Sequence, residues 1–139
     1  RREPFWLKHW LADLPPTLSA SPPPNEGMPL VTVITDVQGI LDNAEDCCKI
    51  VTDAIKAGLG KPEQYITVAV QEAKCCTVGG EKGSVAIYIH SIGGSLKTPL
   101  AQICDGLKKE PFNVQENKVV ATFAGATMST FGMNGVPLG

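Results

Sequence analysis

Arginine is absent from residues 29–139 of this 139-residue chain, where nine lysines supply the positive charge. A surface that follows nucleic-acid phosphates needs clustered positive charge and draws heavily on Arg, so scattered lysines and a net charge of -2 exclude that class. Histidine is limited to His9 and His90, no C-x-x-C pair occurs, and no spacing assembles a zinc or other metal site. The five cysteines are two adjacent doublets, Cys47-Cys48 and Cys75-Cys76, plus Cys104. An odd count and neighbouring pairs do not make a disulfide framework, so they read as small buried apolar residues in a reducing compartment. No apolar run reaches the ~18 to 20 residues of a membrane span. The longest uncharged stretch, residues 119–139, is broken by Gly, Thr, Ser, Asn and Pro and reads as a buried strand followed by loops. Twelve basic against 14 acidic residues and a hydrophobic fraction of 43% describe a globular chain with room for one domain.

Residues 1–28 differ in texture from the rest. They hold both tryptophans, both arginines and six of the eleven prolines, five of them between Pro15 and Pro24. Such a stretch favours extended, non-helical chain and lacks the apolar centre of a secretory signal. The expectation is an N-terminal extension that is disordered or not part of the mature protein, followed by one domain over 29–139.

From Met28 onward two similar patterns follow each other. Residues 30–35 are rich in β-branched side chains and read as a strand. Asp42 with Glu45 resembles a capping box, and Leu41, Ala44, Cys48, Val51, Ile55 and Leu59 recur at helical spacing until Gly58 and Gly60. Residues 65–70 read as a second strand, completing a βαβ unit. After a turn at Gly79-Gly80, residues 84–89 read as a strand, a helix begins near Thr98-Pro99 and runs towards Pro111, and residues 118–123 close the second unit. Glu63-Gln64-Tyr65-Ile66 and Glu116-Asn117-Lys118-Val119 are alike, which suggests an internal duplication. The expected fold is α+β, a four-stranded mixed sheet with two antiparallel helices on one face. The other face would be bare, and assembly with further copies is the simplest way to cover it.

Met28-Pro29 at the first strand, Gly60-Lys61-Pro62-Glu63-Gln64-Tyr65-Ile66 at the second, Gly79-Gly80, His90-Ser91-Ile92-Gly93-Gly94 and Phe131-Gly132-Met133-Asn134-Gly135 together resemble the macrophage migration inhibitory factor family of the tautomerase superfamily. The resemblance covers nearly all of 29–139. It implies a homotrimer whose site, between subunits, tautomerises the keto and enol forms of small aromatic α-keto acids such as phenylpyruvate, or isomerises dopachrome, without a cofactor. It further implies that Pro29, as a free N-terminal secondary amine, is the general base and acid. Lys61 and the backbone N–H of Ile92 would hold the substrate carboxylate, and Tyr65, Phe131 and Met133 would line the pocket. Val120 and Thr122 would be contributed by a neighbouring subunit, at positions where mammalian members carry Tyr and Asn.

As the chain is written Pro29 follows 28 residues, and an amide nitrogen is not a base, so the reaction requires Pro29 to be the mature N-terminus. Ser91 and His90 do not make a nucleophile and base, because neighbours in a strand point to opposite faces. The alternative is a non-catalytic, cytokine-like protein that binds a cell-surface receptor. A leader without a recognisable signal gives a cytoplasmic location, with the extracellular space as the second destination, since relatives leave the cell without a signal peptide.

Overall fold

The structure, a computed structural model, describes residues 28–130, 132–133 and 135–137. The expectation for the N-terminal extension falls on residues 1–27, outside the described residues.

β1 (Leu30–Thr35) buries Val31, Val33 and Thr35 and turns Leu30 outward, the alternation of a strand with one covered face. A short helix α1 (Gln38–Leu41) leads into α2 (Ala44–Leu59), and β2 (Thr67–Glu72) then pairs parallel with β1. A hairpin of β3 (Thr77–Val78) and β4 (Glu81–Lys82) turns at Gly79-Gly80. β5 (Val85–Ser91), α3 (Lys97–Leu107) and β6 (Val119–Gly125) form the second unit, with β5 and β6 parallel. β1 and β5 pair antiparallel in the centre, so the sheet order is β2-β1-β5-β6 and the sheet is mixed, as expected. Each crossover helix runs against its own strands, so the two helices oppose each other. Their apolar faces share one core with the sheet: Val51 and Ile55 from α2, Ile103 and Leu107 from α3, Val33 and Ile87 from the centre.

The internal resemblance has a structural counterpart. Glu63–Tyr65 forms a 3-10 turn before β2, with Ile66 N donating to Glu63 O over 3.1 Å, and Glu116–Lys118 forms the same turn before β6. These turns delay both second strands, so β2 begins at Thr67, later than the apolar pattern indicates. Asp42 does not cap the long helix. Its carboxylate accepts the Gln38 Nε2 hydrogen bond at 2.7 Å, and α2 starts beyond Asn43, whose side chain donates to Gly39 O instead. At the other end Gly60 takes the left-handed conformation, φ 66°, that stops a helix without steric cost to Gly.

Two expectations change. The cysteines are all free, but only Cys47 and Cys104 are buried; Cys48 and Cys76 are half-buried and Cys75 is exposed. Cys75 sits in the irregular link before β3, where no core face exists to receive it. The stretch after β6 is not only loop, because β7 (Gly132–Met133) and β8 (Val136–Pro137) pair as a hairpin. Among the described residues no helix is long and apolar enough to cross a membrane, and no group of His, Cys, Asp and Glu could hold a metal.

Among the described residues, nothing covers the sheet face away from the helices. Positions 30, 32 and 34 of β1, 67, 69 and 71 of β2, 86, 88 and 90 of β5, and 120, 122 and 124 of β6 point there by register. Leu30, Tyr88 and Val120 are exposed on it.

Candidate functional site

One end of the sheet collects the chemistry. Pro29 precedes β1, where its missing N–H costs no ladder bond, and its carbonyl accepts the Thr67 amide at 3.0 Å. The ring is fully buried. In the central antiparallel pair Leu30 faces His90. The strand register therefore carries Pro29, one step earlier, to Ser91, one step later, and the chain then enters Ile92.

Lys61 reaches the same end from the other side. The left-handed Gly60 turns the chain out of α2, and Lys61 follows it almost wholly buried, 4% exposed. Its ammonium donates to the Ile92 carbonyl oxygen at 3.2 Å. A buried ammonium is costly unless it is hydrogen-bonded, so this contact fixes the charge beside the segment that follows β5. Tyr65 is buried in the turn before β2, its hydroxyl oxygen accepting from Gln64 Nε2 at 3.3 Å.

A cavity of about 90 Å³ opens beside Pro29, lined by Met28, Pro29, Leu30, Thr67 and Gly132. The C-terminal hairpin thus contributes a wall through Gly132, and Met133, half-buried, is the next residue along it. Phe131 lies outside the described residues.

Val120 and Thr122 stand elsewhere. They lie on β6, an edge strand, and point to the uncovered face, opposite to the side on which Pro29 is buried. Val120 is in register with Ala86, which pairs with Ile34, so it sits about five residues, or roughly 17 Å along the strands, from the end that holds Pro29. A single chain therefore brings Pro29, Lys61, Ile92 and Tyr65 to one end and leaves Val120 and Thr122 away from it. Thr67 was not singled out from the sequence, and Ser91 was set aside there as a nucleophile. Thr67 could have been found as the residue that opens β2 beside Pro29. The Ser91 hydroxyl oxygen, buried and without a hydrogen-bond partner among the described residues, has no signal in the sequence alone.

Away from this end, Asp36 ties the β3–β4 hairpin to β1. Its carboxylate accepts the amides of Cys76 and Gly83, each at 3.1 Å. The Cys76 amide does most to hold the carboxyl below its ordinary range, against an opposing contribution from desolvation, with Gly83 adding to the lowering. Burial, with a smaller contribution from Cys48, pushes the Cys47 thiol up to about 12.

Comparison with known proteins adds the ancestry. The family model described as macrophage migration inhibitory factor (MIF) matches residues 28–139. A MIF-like protein from Entamoeba histolytica superposes with a TM-score of 0.70 at 19% identity, covering 79% of this chain and 98% of that one. A MIF homologue from Prochlorococcus marinus gives 0.68 at 19% identity over 79% and 99%. A fused 4-OT solved as an asymmetric trimer gives 0.64 at 14% identity over 78% and 95%. At these identities the superpositions speak for the fold. A comparison with curated proteins finds no match. The family match spans every described residue, and the chain belongs to the macrophage migration inhibitory factor family.

Proposed function

We propose that the chain is a cofactor-independent keto–enol tautomerase of the phenylpyruvate or dopachrome type, with Pro29 as proton carrier. The observation that carries this reading is the convergence of Pro29, the Lys61 ammonium and the Ile92 segment at one sheet end, beside a cavity.

The substrate carboxylate binds to the Lys61 ammonium and the Ile92 N–H, which leaves the carbon next to the keto group towards the Pro29 nitrogen. The neutral amine takes a proton from that carbon, the C–H pair forms the enolate, and the pyrrolidinium returns the proton to oxygen. An N-terminal amine has an ordinary pKa of about 8, and a nearby cation favours its neutral form. A base poised near the working pH is what proton abstraction requires. On this reading Tyr65, in the turn before β2, and Met133, next to Gly132 of the cavity wall, supply apolar contacts to the ring.

Cleavage of the Met28–Pro29 bond is part of the proposal. It converts an amide nitrogen into an amine and also removes Met28 from the lining of the cavity. The site is completed by Val120 and Thr122 of a neighbouring subunit in a homotrimer. Their place on the uncovered face supports this, as does the likeness to a protein solved as a trimer.

The test is turnover of 4-hydroxyphenylpyruvate by protein that begins at Pro29, with Pro29→Gly as control. Activity above the control supports the reading, and equal rates reject it. The peptide bond between Met28 and Pro29 in the chain as written favours a second reading, a non-catalytic protein that acts by binding a receptor. That reading gains if the native protein retains its leader.

A further inference from the structure

Ser91 closes β5, and strand alternation turns Val85, Ile87, Ile89 and Ser91 to the helix side of the sheet, where all four are buried. The first three are apolar and pack into the core, whereas the fourth carries a hydroxyl. Among the described residues its oxygen is the one buried side-chain polar atom without a hydrogen-bond partner. The Ser91 backbone is satisfied, since its carbonyl accepts the Ala126 amide at 3.0 Å. The buried hydroxyls at the other end of the sheet are satisfied too: Thr35 Oγ1 donates to Ser84 O at 2.8 Å, and Ser84 Oγ donates to Cys76 Sγ at 3.3 Å. A buried hydroxyl left alone is unfavourable, so the exception at Ser91 calls for a reason.

Across the central antiparallel pair the register sets Ser91 opposite Pro29, which is buried on the same side of the sheet as Val31 and Val33. Opposed residues in such a pair have Cα atoms roughly 4.5–5.5 Å apart, so a hydroxyl one bond beyond Cβ reaches the backbone nitrogen across from it. In the chain as written that nitrogen is a tertiary amide, with no hydrogen to donate and its lone pair shared with the carbonyl. A free secondary amine has both a hydrogen and a lone pair. We propose that Ser91 is the positioning residue of the Pro29 amine: once the Met28–Pro29 bond is open, the Ser91 hydroxyl oxygen accepts the amine N–H and directs the lone pair at the substrate carbon. The inference rests on the tautomerase reading above. After the proton leaves carbon, the pyrrolidinium has two N–H bonds. One stays on Ser91 and the other returns its proton to oxygen, so the ring need not turn between the two steps.

Urea unfolding of Ser91→Ala in two forms of the chain, at equal protein concentration, tests whether the hydrogen bond exists. With the 28 preceding residues kept, the substitution removes a hydroxyl that has no partner and raises the midpoint; in protein that begins at Pro29 it removes the partner of the amine and lowers the midpoint. A merely structural serine shifts both forms alike. Steady-state kinetics on 4-hydroxyphenylpyruvate supplies the second readout. Ser91→Ala that begins at Pro29 loses kcat by about 3- to 10-fold with KM unchanged, because the carboxylate contacts remain and only the base is released. Equal midpoint shifts in the two forms, or an unchanged kcat, overturn the inference and leave the tautomerase reading intact. A wild-type protein that begins at Pro29 and shows no turnover overturns both.

Discussion

The Lys61 ammonium donates to the Ile92 backbone oxygen at 3.2 Å, joining the turn after α2 to the segment after β5. The residues are 31 apart in sequence, and the contact is buried. It therefore sets a positive charge at the sheet end where Pro29 leads into β1.

Replacing Lys61 by Met keeps much of the apolar stem and removes the charge. A hydrogen bond to a charged group contributes about 1.5–3 kcal/mol, so kcat/KM for an α-keto acid falls by about 10- to 150-fold, mostly through KM. Steady-state kinetics on Lys61→Met and wild type, both beginning at Pro29, check this. An unchanged KM would remove Lys61 from carboxylate binding.

The two long helices approach closely at Gly58. A Cβ built there would lie 2.6 Å from Pro99 Cγ and 2.7 Å from Pro99 Cδ, and the rigid ring cannot yield. Gly58→Ala is expected to destabilise the chain by about 1–3 kcal/mol, the usual range for overpacking. Urea unfolding midpoints at constant m-value measure it, and a stabilised variant would contradict the close approach.

Asp36 makes the β3–β4 hairpin sensitive to acid. Its carboxyl is held below the ordinary range by the Cys76 amide first. A carboxylate lowered by folding stabilises the native state above the unfolded pKa, about 3.9, and that contribution is lost as the pH falls through the lower folded value. Asp36→Asn is therefore less stable than wild type at pH 7, and the difference shrinks below pH ~4. Urea midpoints at both pH values decide this, and a gap that does not change with pH would count against the account.

The thiols should react in the order of their surroundings. Cys75 is exposed, whereas Cys47 and Cys104 are buried and the Cys47 thiol is pushed up to about 12. Thiolate is the reactive form. Brief alkylation of the native protein near pH 8, followed by peptide mass spectrometry, is expected to mark Cys75 first and to leave Cys47 and Cys104 until denaturant is added. Early labelling of Cys47 would contradict its buried position.

Much of this fold was legible in the residues because the two βαβ units write the same pattern twice. Residues 30–35 coincide with β1, and the helical spacing of Val51, Ile55 and Leu59 coincides with the buried side of α2. The offsets came from local hydrogen bonding that periodicity does not register: Asp42 bonding back to Gln38, and the 3-10 turns that postpone β2 and β6. Cys75 escaped for a similar reason, since composition makes cysteine a core residue while its link has no core to enter. At the site, Lys61 and Ile92 were named from the resemblance, and their direct contact is a product of the fold. Val120 and Thr122 fall beyond the reach of one chain because alternation along β6 sends them to the uncovered face.

The central claim is that a free Pro29 amine moves the proton, and one side-by-side measurement addresses it. Turnover of 4-hydroxyphenylpyruvate is followed for protein that begins at Pro29 and for protein that keeps its 28 preceding residues, at equal concentration. The account predicts turnover in the first and none in the second, whose Pro29 nitrogen is an amide. Equal turnover by the two forms would contradict it, because the proton would then be leaving carbon without that amine.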